Sequence, residues 1–377
     1  MELHIIDLSN VLCVGAFAGR SKGYATQNIP TGGIYQVIQR IRKINPFENP
    51  DKKLVIVTDH KENIRKDKYD IYKSQRGKYD SESTKIQKKG VRLQEELILN
   101  VLSQVGIPIF TKEGYEADDL MFNIIYNYVV QEGNPLHHDT TVYLHTSDGD
   151  WIGVLGLAPN NIFYECTTTV SELSQVNTYR DFIKVTNRYP EYEYLQRALY
   201  GDKADNYKGI TDDLGVGFLN QMQLELEEYQ KTTHISQYFW YMDWWREYLL
   251  RFAGTNPNYI ASVIENVELA FPYFLPEIAL GDLSYIDNYT PDWSKLYEFV
   301  DLFSIKALQK QLGKISPFSD EKAQALNKLK VYYKSEYNEV FKMYTGLTKE
   351  LSEPVLSTEA VDRIYHNVTA RIPTINI

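Results

Sequence analysis

Four short apolar runs punctuate the first part of the chain, and acidic residues follow each of them. Leu3-His4-Ile5-Ile6 ends in Asp7, and Leu54-Val55-Ile56-Val57 ends in Thr58-Asp59. Ile107-Pro108-Ile109-Phe110 leads to Glu116-Ala117-Asp118-Asp119, and Val142-Tyr143-Leu144-His145 ends in Thr146-Ser147-Asp148-Gly149-Asp150. Continuous runs this short predict buried strands. Between them the apolar period lengthens. Gly32-Gly33 opens a stretch with Ile34, Val37, Ile38 and Ile41 on one side, closed by Pro46 and Pro50. Leu93, Leu97, Ile98, Val101 and Leu102 share one helical face, and Leu120, Ile124, Ile125, Tyr128 and Val129 share another. Strands alternating with helices over about 150 residues predict an α/β domain with a mainly parallel sheet.

That order has a chemical consequence. In an open parallel sheet the ligand site lies beyond the carboxyl ends of the strands, so Asp7, Asp59, Asp148, Asp150 and the group Glu116/Asp118/Asp119 are expected at one edge. A single acid after a strand is an ordinary turn former or helix cap; agreement among four strand ends is not. Glu116 and Asp119 share a helix face at i, i+3, where like charges repel and raise each other's pKa unless a cation is present. Carboxylates in such numbers predict a site for two divalent cations, magnesium or manganese, both of which take hard oxygen ligands.

Composition narrows the picture modestly. The 377 residues are 43% hydrophobic and 24% charged, ordinary for a globular protein, with 30 tyrosines as the oddity. A formal net charge of -10 excludes a protein that simply coats nucleic acid, but not an enzyme that binds it locally. Two cysteines, Cys13 and Cys166, imply neither a disulfide framework nor a thiolate zinc site and fit a reducing cytoplasm. No signal peptide or membrane span is expected. One segment runs against the overall charge: Lys61 to Arg92 carries eleven Lys/Arg against five Asp/Glu. It also holds Tyr69, Tyr72 and Tyr79, and aromatics interleaved with cations suit a single strand, whose bases stack while its phosphates pair.

Taken together, these residues resemble the structure-specific 5′ nucleases. That family includes flap endonucleases, the 5′ exonuclease domains of bacterial DNA polymerases, and phage 5′ nucleases and ribonuclease H. The resemblance rests on Ile6-Asp7, Val57-Thr58-Asp59 followed by Arg65 and Tyr72-Lys73-Ser74-Gln75-Arg76, Glu116-Ala117-Asp118-Asp119, Thr146-Ser147-Asp148-Gly149-Asp150 and Gly201-Asp202-Lys203-Ala204-Asp205-Asn206. It covers roughly residues 1 to 220, in order, and is nearest to the phage members. It implies a PIN-like 5′ nuclease core with a helical C-terminal region: a catalytic domain over 1–200 with a helical arch about 77–92, a degenerate helix-hairpin-helix-like DNA-binding segment over 201–230, and an aromatic-rich helical region over 231–377.

The resemblance further implies that Asp7, Asp59, Glu116, Asp118, Asp119, Asp148, Asp150, Asp202 and Asp205 hold two Mg²⁺ or Mn²⁺ ions. Asp118 and Asp148, with Lys73 and Arg76 on the scissile phosphate, would be catalytic. Arg65, Tyr72, Lys73, Arg76, Lys85, Lys88, Lys89 and Arg92 would bind nucleic acid, with Tyr72 stacked on the terminal base and the outer lysines on phosphates. The implied function is hydrolysis of phosphodiester bonds at 5′ ends or flaps of DNA, or of RNA primers and RNA–DNA hybrids, in phage-type replication and repair in the host cytoplasm. The rival is a catalytically inactive DNA-binding or scaffolding relative.

The later segment departs from the family. Asn206-Tyr207-Lys208-Gly209-Ile210-Thr211-Asp212-Asp213-Leu214-Gly215-Val216-Gly217 lacks the family's proline and adds acids, which weakens the expectation of a duplex grip and a monovalent cation. Beyond residue 230 the aromatic stripe around Tyr238 to Trp245 reads as helix core, with a replication-partner surface as the other reading. Arg371 to Ile377 reads as a docking tail or a frayed end.

Overall fold

In a computed structural model of the chain, the structure describes residues 1–17, 24–127, 140–168, 172–210, 224, 242–275, 285–311, 316–345 and 375–376. The elements, in chain order, are β1 (Glu2–Asp7), α1 (Leu8–Phe17), the hairpin β2 (Ala25–Thr26) and β3 (Ile29–Pro30), α2 (Gly32–Ile44), β4 (Lys52–Val57), α3 (Ile64–Lys68) and α4 (Glu82–Val105). Next come β5 (Ile109–Thr111), α5 (Ala117–Ile125), β6 (Thr141–Thr146), β7 (Ile162–Cys166), α6 (Tyr179–Thr186), α7 (Glu193–Tyr200), β8 (Gly201–Asp202) and β9 (Tyr207–Lys208). The remaining helices are α8 (Met242–Ala253), α9 (Pro257–Ala270), α10 (Trp293–Leu302), α11 (Lys306–Gln311) and α12 (Asp320–Met343). The four expected strands and the helices between them are all present.

The chain folds into two compact units that interleave in sequence. The first takes Met1–Thr58, Asp80–Phe110 and Ser284–Asn376; the second takes Asp59–Tyr79 and Thr111–Leu283. Compactness therefore follows contacts and not the 1–200, 201–230, 231–377 order.

In the first unit, β4 pairs in parallel with β1 and β5, Asp7 lying opposite Val57. Strand residues Leu3, Ile5, Ile6 and Leu54 to Val57 are fully buried, which is why these strands read as unbroken apolar runs. Helices α1 and α2 approach closely at Gly15, where a Cβ would lie 2.6 Å from the Gly32 carbonyl oxygen. Helix α2 has no side-chain cap of its own. Buried Gln94 on α4 supplies one instead, its Oε1 accepting from the N–H of Gly33 (2.7 Å) and Ile34 (3.3 Å).

Late residues complete this unit. Tyr289 O–H receives the Leu54 N–H of β4 (2.8 Å), Asp292 N–H donates to Val105 carbonyl (2.8 Å), and Tyr337 O–H donates to Glu96 on α4 (2.6 Å). Phe299, Phe303, Tyr337 and Phe341 are buried with the N-terminal strands and helices in one apolar core. These four aromatics are core residues, whereas Tyr285 and Tyr332 are exposed.

In the second unit β6 and β7 pair in parallel. The 3-10 helix Gly149–Gly156 follows β6 and packs against Tyr194 of α7, with no room for a Cβ on Gly153. Trp151 and Trp245 are fully buried. Asn266 on α9 ties α7 to β9 by donating to the carbonyls of Ala198 (2.9 Å) and Lys208 (2.5 Å). The architecture is α/β with a mainly parallel sheet flanked by helices and a helical C-terminal region, as the pattern predicted.

The arch is a correction. Residues 82–105 form one continuous helix of the first unit, and Gly90 packs against Val340 of α12 and Pro30. Lys85 pairs with Glu82, Lys88 with Asp80 and Lys89 with Glu339, so the outer lysines sit in surface ion pairs on a packed helix. Arg92 is exposed on the same helix. The segments 211–223 and 225–241, including Gly215-Val216-Gly217 and most of the aromatic stripe, lie outside the described residues, as does most of the tail after Arg371. Among the described residues no helix is long and apolar enough to cross a membrane.

Replacing Tyr289 by Phe strands the buried Leu54 N–H, and an unsatisfied buried donor costs about 1–3 kcal/mol. Urea unfolding of Tyr289→Phe is expected to show a midpoint lowered accordingly; an unchanged midpoint would mean that water replaces the hydroxyl.

Candidate functional site

The site of the second unit is built on the N-terminus of α5. Asp119 is fully buried, and both its oxygens receive the Arg65 guanidinium in a fork, each at 2.8 Å. The Glu116 N–H (3.1 Å) and Tyr273 N–H (2.7 Å) add to them. Arg65 in turn spends its other N–H groups on Glu116 (3.3 Å) and on the carbonyls of Glu268 (3.1 Å) and Phe271 (2.9 Å), with the Tyr273 ring 4.5 Å from its Cζ. The guanidinium pKa rises although burial opposes it, because Asp119 and Glu116 hold it charged. Two sequence-based assignments are thereby corrected. Arg65 has no free N–H for nucleic acid, and Asp119 has no free lone pair for a metal.

Glu116 forms the next layer. Its Oε2 accepts from the Tyr72 hydroxyl (2.7 Å), and its Oε1 pairs with the Lys73 ammonium. Burial opposes ionisation of Glu116, but Lys73 and Arg65 outweigh it and hold the pKa at about 2. Tyr72 is 4% exposed and its ring is covered, so it does not stack on a terminal base as expected. Lys73 adopts φ of 54°, a left-handed conformation uncommon outside glycine, fixed by its N–H on the Asp205 carbonyl (2.7 Å). Its ammonium lies between Glu116 and Asp205, and Arg76, half exposed, pairs with Asp205 as well.

The remaining carboxylates face one another across this layer. Asp118, beside Asp119 but turned the other way, accepts from the Trp151 indole N–H (2.7 Å). Asp59 accepts from the Ala117 N–H (2.9 Å), and Asp148 caps the 3-10 helix by accepting from the Asp150 N–H (3.0 Å). Arg197 of α7 bridges Asp150 and Asp202.

Burial first, then Asp148, Asp150, Glu116 and Asp59, push the Asp118 pKa well above the usual carboxylate range. Asp150 is pushed up to about 8 by burial and Asp148, against Arg197. Asp59 is also raised, by the surrounding protein first and by Glu116 and Asp148 among its neighbours; its side chain is exposed, so solvent weakens that shift. A cavity of about 20 Å³ opens among Tyr72, Glu116, Asp118, Asp150 and Tyr194, room for one water-sized occupant.

The structure therefore brings together Asp59, Glu116, Asp118, Asp148, Asp150, Asp202 and Asp205 with Lys73 and Arg76 in the second unit. Asp7 belongs to the first unit, where it is 5% exposed and its Oδ1 accepts the Asn10 N–H (3.0 Å). Sequence reasoning missed Arg197, Trp151 and Tyr194. Trp151 follows Asp150 directly and Arg197 precedes Asp202 by five residues, but on helices both read as ordinary packing or surface positions.

Among the described residues no three His, Cys, Asp or Glu side chains stand at ligating distance as they are, since each carboxylate is turned toward a protein donor. The donor set is nevertheless all carboxylate oxygen, and the mutual repulsion on Asp118 and Asp150 is of the kind that a divalent cation relieves.

Residues 2–182 match the 5′-3′ exonuclease N-terminal resolvase-like domain. That match takes in just under half of the chain. DNA polymerase I of Caldicellulosiruptor bescii is 27% identical over 321 residues, covering 83% of this chain and 34% of that protein. The chain thus spans about a third of the polymerase. The 5′-3′ exonuclease of Aquifex aeolicus is 25% identical over 318 residues, covering 83% of this chain and 96% of its own length. Among solved structures, T5 5′-exonuclease with divalent metal ions (zinc) bound covers 76% of this chain and 97% of its own at a TM-score of 0.49 and 17% identity.

Two outcomes follow from the ion pairs of the second unit. Breaking a buried pair by removing one partner costs about 3–5 kcal/mol, so Arg65→Met is expected to lower unfolding stability by that order. Chemical denaturation of Arg65→Met beside Lys85→Met, an exposed control, checks it.

The second outcome is a pH dependence. The Glu116 pKa is lowered from 4.5 to about 2, so its stabilisation is complete above pH 4.5 and is lost as pH falls toward 2. The Asp150 pKa is raised from 3.8 to about 8, so its contribution is complete below pH 3.8 and is lost as pH rises through 8. Melting temperatures in EDTA are expected to fall at both ends, and Mg²⁺ is expected to remove the alkaline fall.

Proposed function

We propose that the chain is a divalent-metal-dependent 5′ nuclease that hydrolyses phosphodiester bonds at 5′ ends or flaps of DNA. The observation that carries this reading is the facing of Asp59, Asp118, Asp148 and Asp150 in one pocket, with raised pKa values on three of them and Lys73 and Arg76 beside it. A pocket so arranged suits a cationic cofactor that binds an anionic substrate.

Asp59, Asp118 and Asp148 would hold one Mg²⁺ or Mn²⁺, and Asp150, Asp202 and Asp205 a second. Bound ions of this kind supply an activated water and stabilise the leaving oxygen of an in-line displacement. The chain's own residues do the rest. Lys73 and Arg76 release their carboxylate partners to the scissile phosphate, where an ammonium and a guanidinium offset the charge that builds in the transition state. Trp151 fixes the rotamer of Asp118 through its indole N–H, and Glu116, kept ionised, places the Lys73 ammonium.

The substrates we infer are DNA with a free 5′ end or flap and RNA–DNA hybrids, in replication and repair of the phage type. Retention of Lys73, Arg76 and the facing acids speaks against an inactive scaffolding relative.

With Mg²⁺ and a 5′-flap substrate, the wild type is expected to cleave, to stop in EDTA and to recover on added Mg²⁺. Asp118→Ala should show no cleavage above background while still binding the flap in a gel-shift assay. Lys73→Ala should lose roughly 10²–10³ in kcat, the usual loss for one preorganised charge donor. Wild-type inactivity on flap, nicked, single-stranded and hybrid substrates alike would support the scaffolding relative.

A further inference from the structure

The acidic side chains of the second unit sort by the kind of donor that holds them. Asp118, Asp59 and Asp148 lean on neutral N–H groups from Trp151, Ala117 and Asp150. Glu116 and Asp205 lean on Lys73 and Arg76. Asp150 and Asp202 share a single cation, Arg197.

Arg197 stands apart from the other two cations in its geometry. It sits on α7, whose neighbouring residues Ala198 and Leu199 are buried and whose Ala198 carbonyl is tied to Asn266, so its backbone is fixed. One nitrogen, Nη1, is within reach of both carboxylates: 3.1 Å from Asp202 Oδ2 and in contact with Asp150 Oδ1. Asp202 is held from the other side, its Oδ1 receiving the N–H groups of Ala204 (2.6 Å) and Asp205 (3.3 Å). Gly149 makes room for the second nitrogen, since a Cβ there would lie 3.2 Å from it. The Arg197 side chain is 22% exposed, so its charge is largely withdrawn from solvent beside the two carboxylates.

We propose that Arg197 is a built-in counter-ion that holds Asp150 and Asp202 together in the metal-free protein and competes with a divalent cation for them. This rests on the metal-dependent reading above and adds a positioning residue to it. A guanidinium stays charged at every pH at which the protein is folded, so the Asp150/Asp202 pair always has a cation at hand. A divalent ion approaching that pair meets a like charge at contact distance and binds only as far as Arg197 swings aside. Among the described residues no cation is ion-paired with Asp59, Asp118 or Asp148, where Lys73 acts on Asp59 only at longer range, so the two ions are held unequally. When displaced, Arg197 remains beside the pocket, where its fork suits a phosphate oxygen pair.

The test is a Mn²⁺ titration of the full chain followed by electron paramagnetic resonance, which counts free Mn²⁺ without any substrate. The wild type is expected to show a tighter and a weaker class. Arg197→Gln is expected to tighten the weaker class by about tenfold, because a like charge at contact distance is removed, and to leave the tighter class within about twofold. Metal-free Arg197→Gln should also melt below the wild type and gain more from Mn²⁺.

Arg197→Lys keeps the charge but not the fork and should fall between. If Arg197→Gln does not fold without Mn²⁺, Arg197→Lys decides, and a weaker class equal to wild type overturns the proposal. A weaker class unchanged or loosened in Arg197→Gln, with the wild type binding Mn²⁺ normally, overturns the role of Arg197 and leaves the nuclease reading standing. A wild type that binds no Mn²⁺ overturns that reading and the role of Arg197 together.

Discussion

Carboxylates gathered in one pocket repel one another, and the second unit is arranged around that cost. Each acid is either cancelled by a cation from the chain or held by a neutral donor against its neighbours. The cancelled ones are structural in effect. Arg65 and Asp119 neutralise each other out of solvent and tie α3, α5 and the segment at Glu268 to Tyr273 into one body. The uncancelled ones, Asp118 above all, store a penalty that only an added positive charge relieves. A fold stabilised chiefly by apolar burial can carry such a penalty locally when the surrounding core over-determines the geometry. Trp151, fully buried, and Tyr194, packed against Gly153, supply that rigidity here.

The adjacent residues Asp118 and Asp119 show how finely the division is drawn. Successive residues on a helix point about 100° apart, so one carboxylate at the α5 N-terminus turns inward and its neighbour turns to the pocket. The inward one meets a guanidinium and two backbone N–H donors; the other meets an indole N–H and four further acids. Identical side chains one residue apart therefore have opposite electrostatic fates. Nothing in their chemistry separates them; only the face of the helix does.

Much of this was legible in the sequence. Strands that are buried on both faces write themselves as unbroken apolar runs, and the acids after β4 and β6 and before α5 marked where the pocket would form. Lys73, Arg76 and the Asp202/Asp205 pair were legible through their order along the chain. Arg65, Tyr72 and Asp119 were misjudged because motif position says which residues are near a site and not whether they face it or support it. The arch was misjudged for a related reason: a basic amphipathic stretch looks the same whether it stands free or lies on α12, and Gly90 against Val340 is a long-range fact. Arg197 was invisible because one of its two partners, Asp150, comes from elsewhere in the chain. Asp150 is 47 residues away, and no local pattern encodes that meeting.

The same reasoning bears on the late residues. Tyr289, Phe299, Phe303 and Tyr337 close the core around β4 and α4, so the first unit needs chain from both ends before its apolar faces are covered. Contacts this distant in sequence carry a loop-closure cost that must be met before burial repays it. The second unit draws on two stretches, 59–79 and 111–283, and its decisive ion pair joins Arg65 from one to Asp119 in the other. Because a buried guanidinium without its carboxylate is strongly unfavourable, that pair cannot form by halves. The pairing that keeps Asp119 out of the pocket is thus also what commits the short stretch carrying Lys73 and Arg76 to its place beside Glu116 and Asp205.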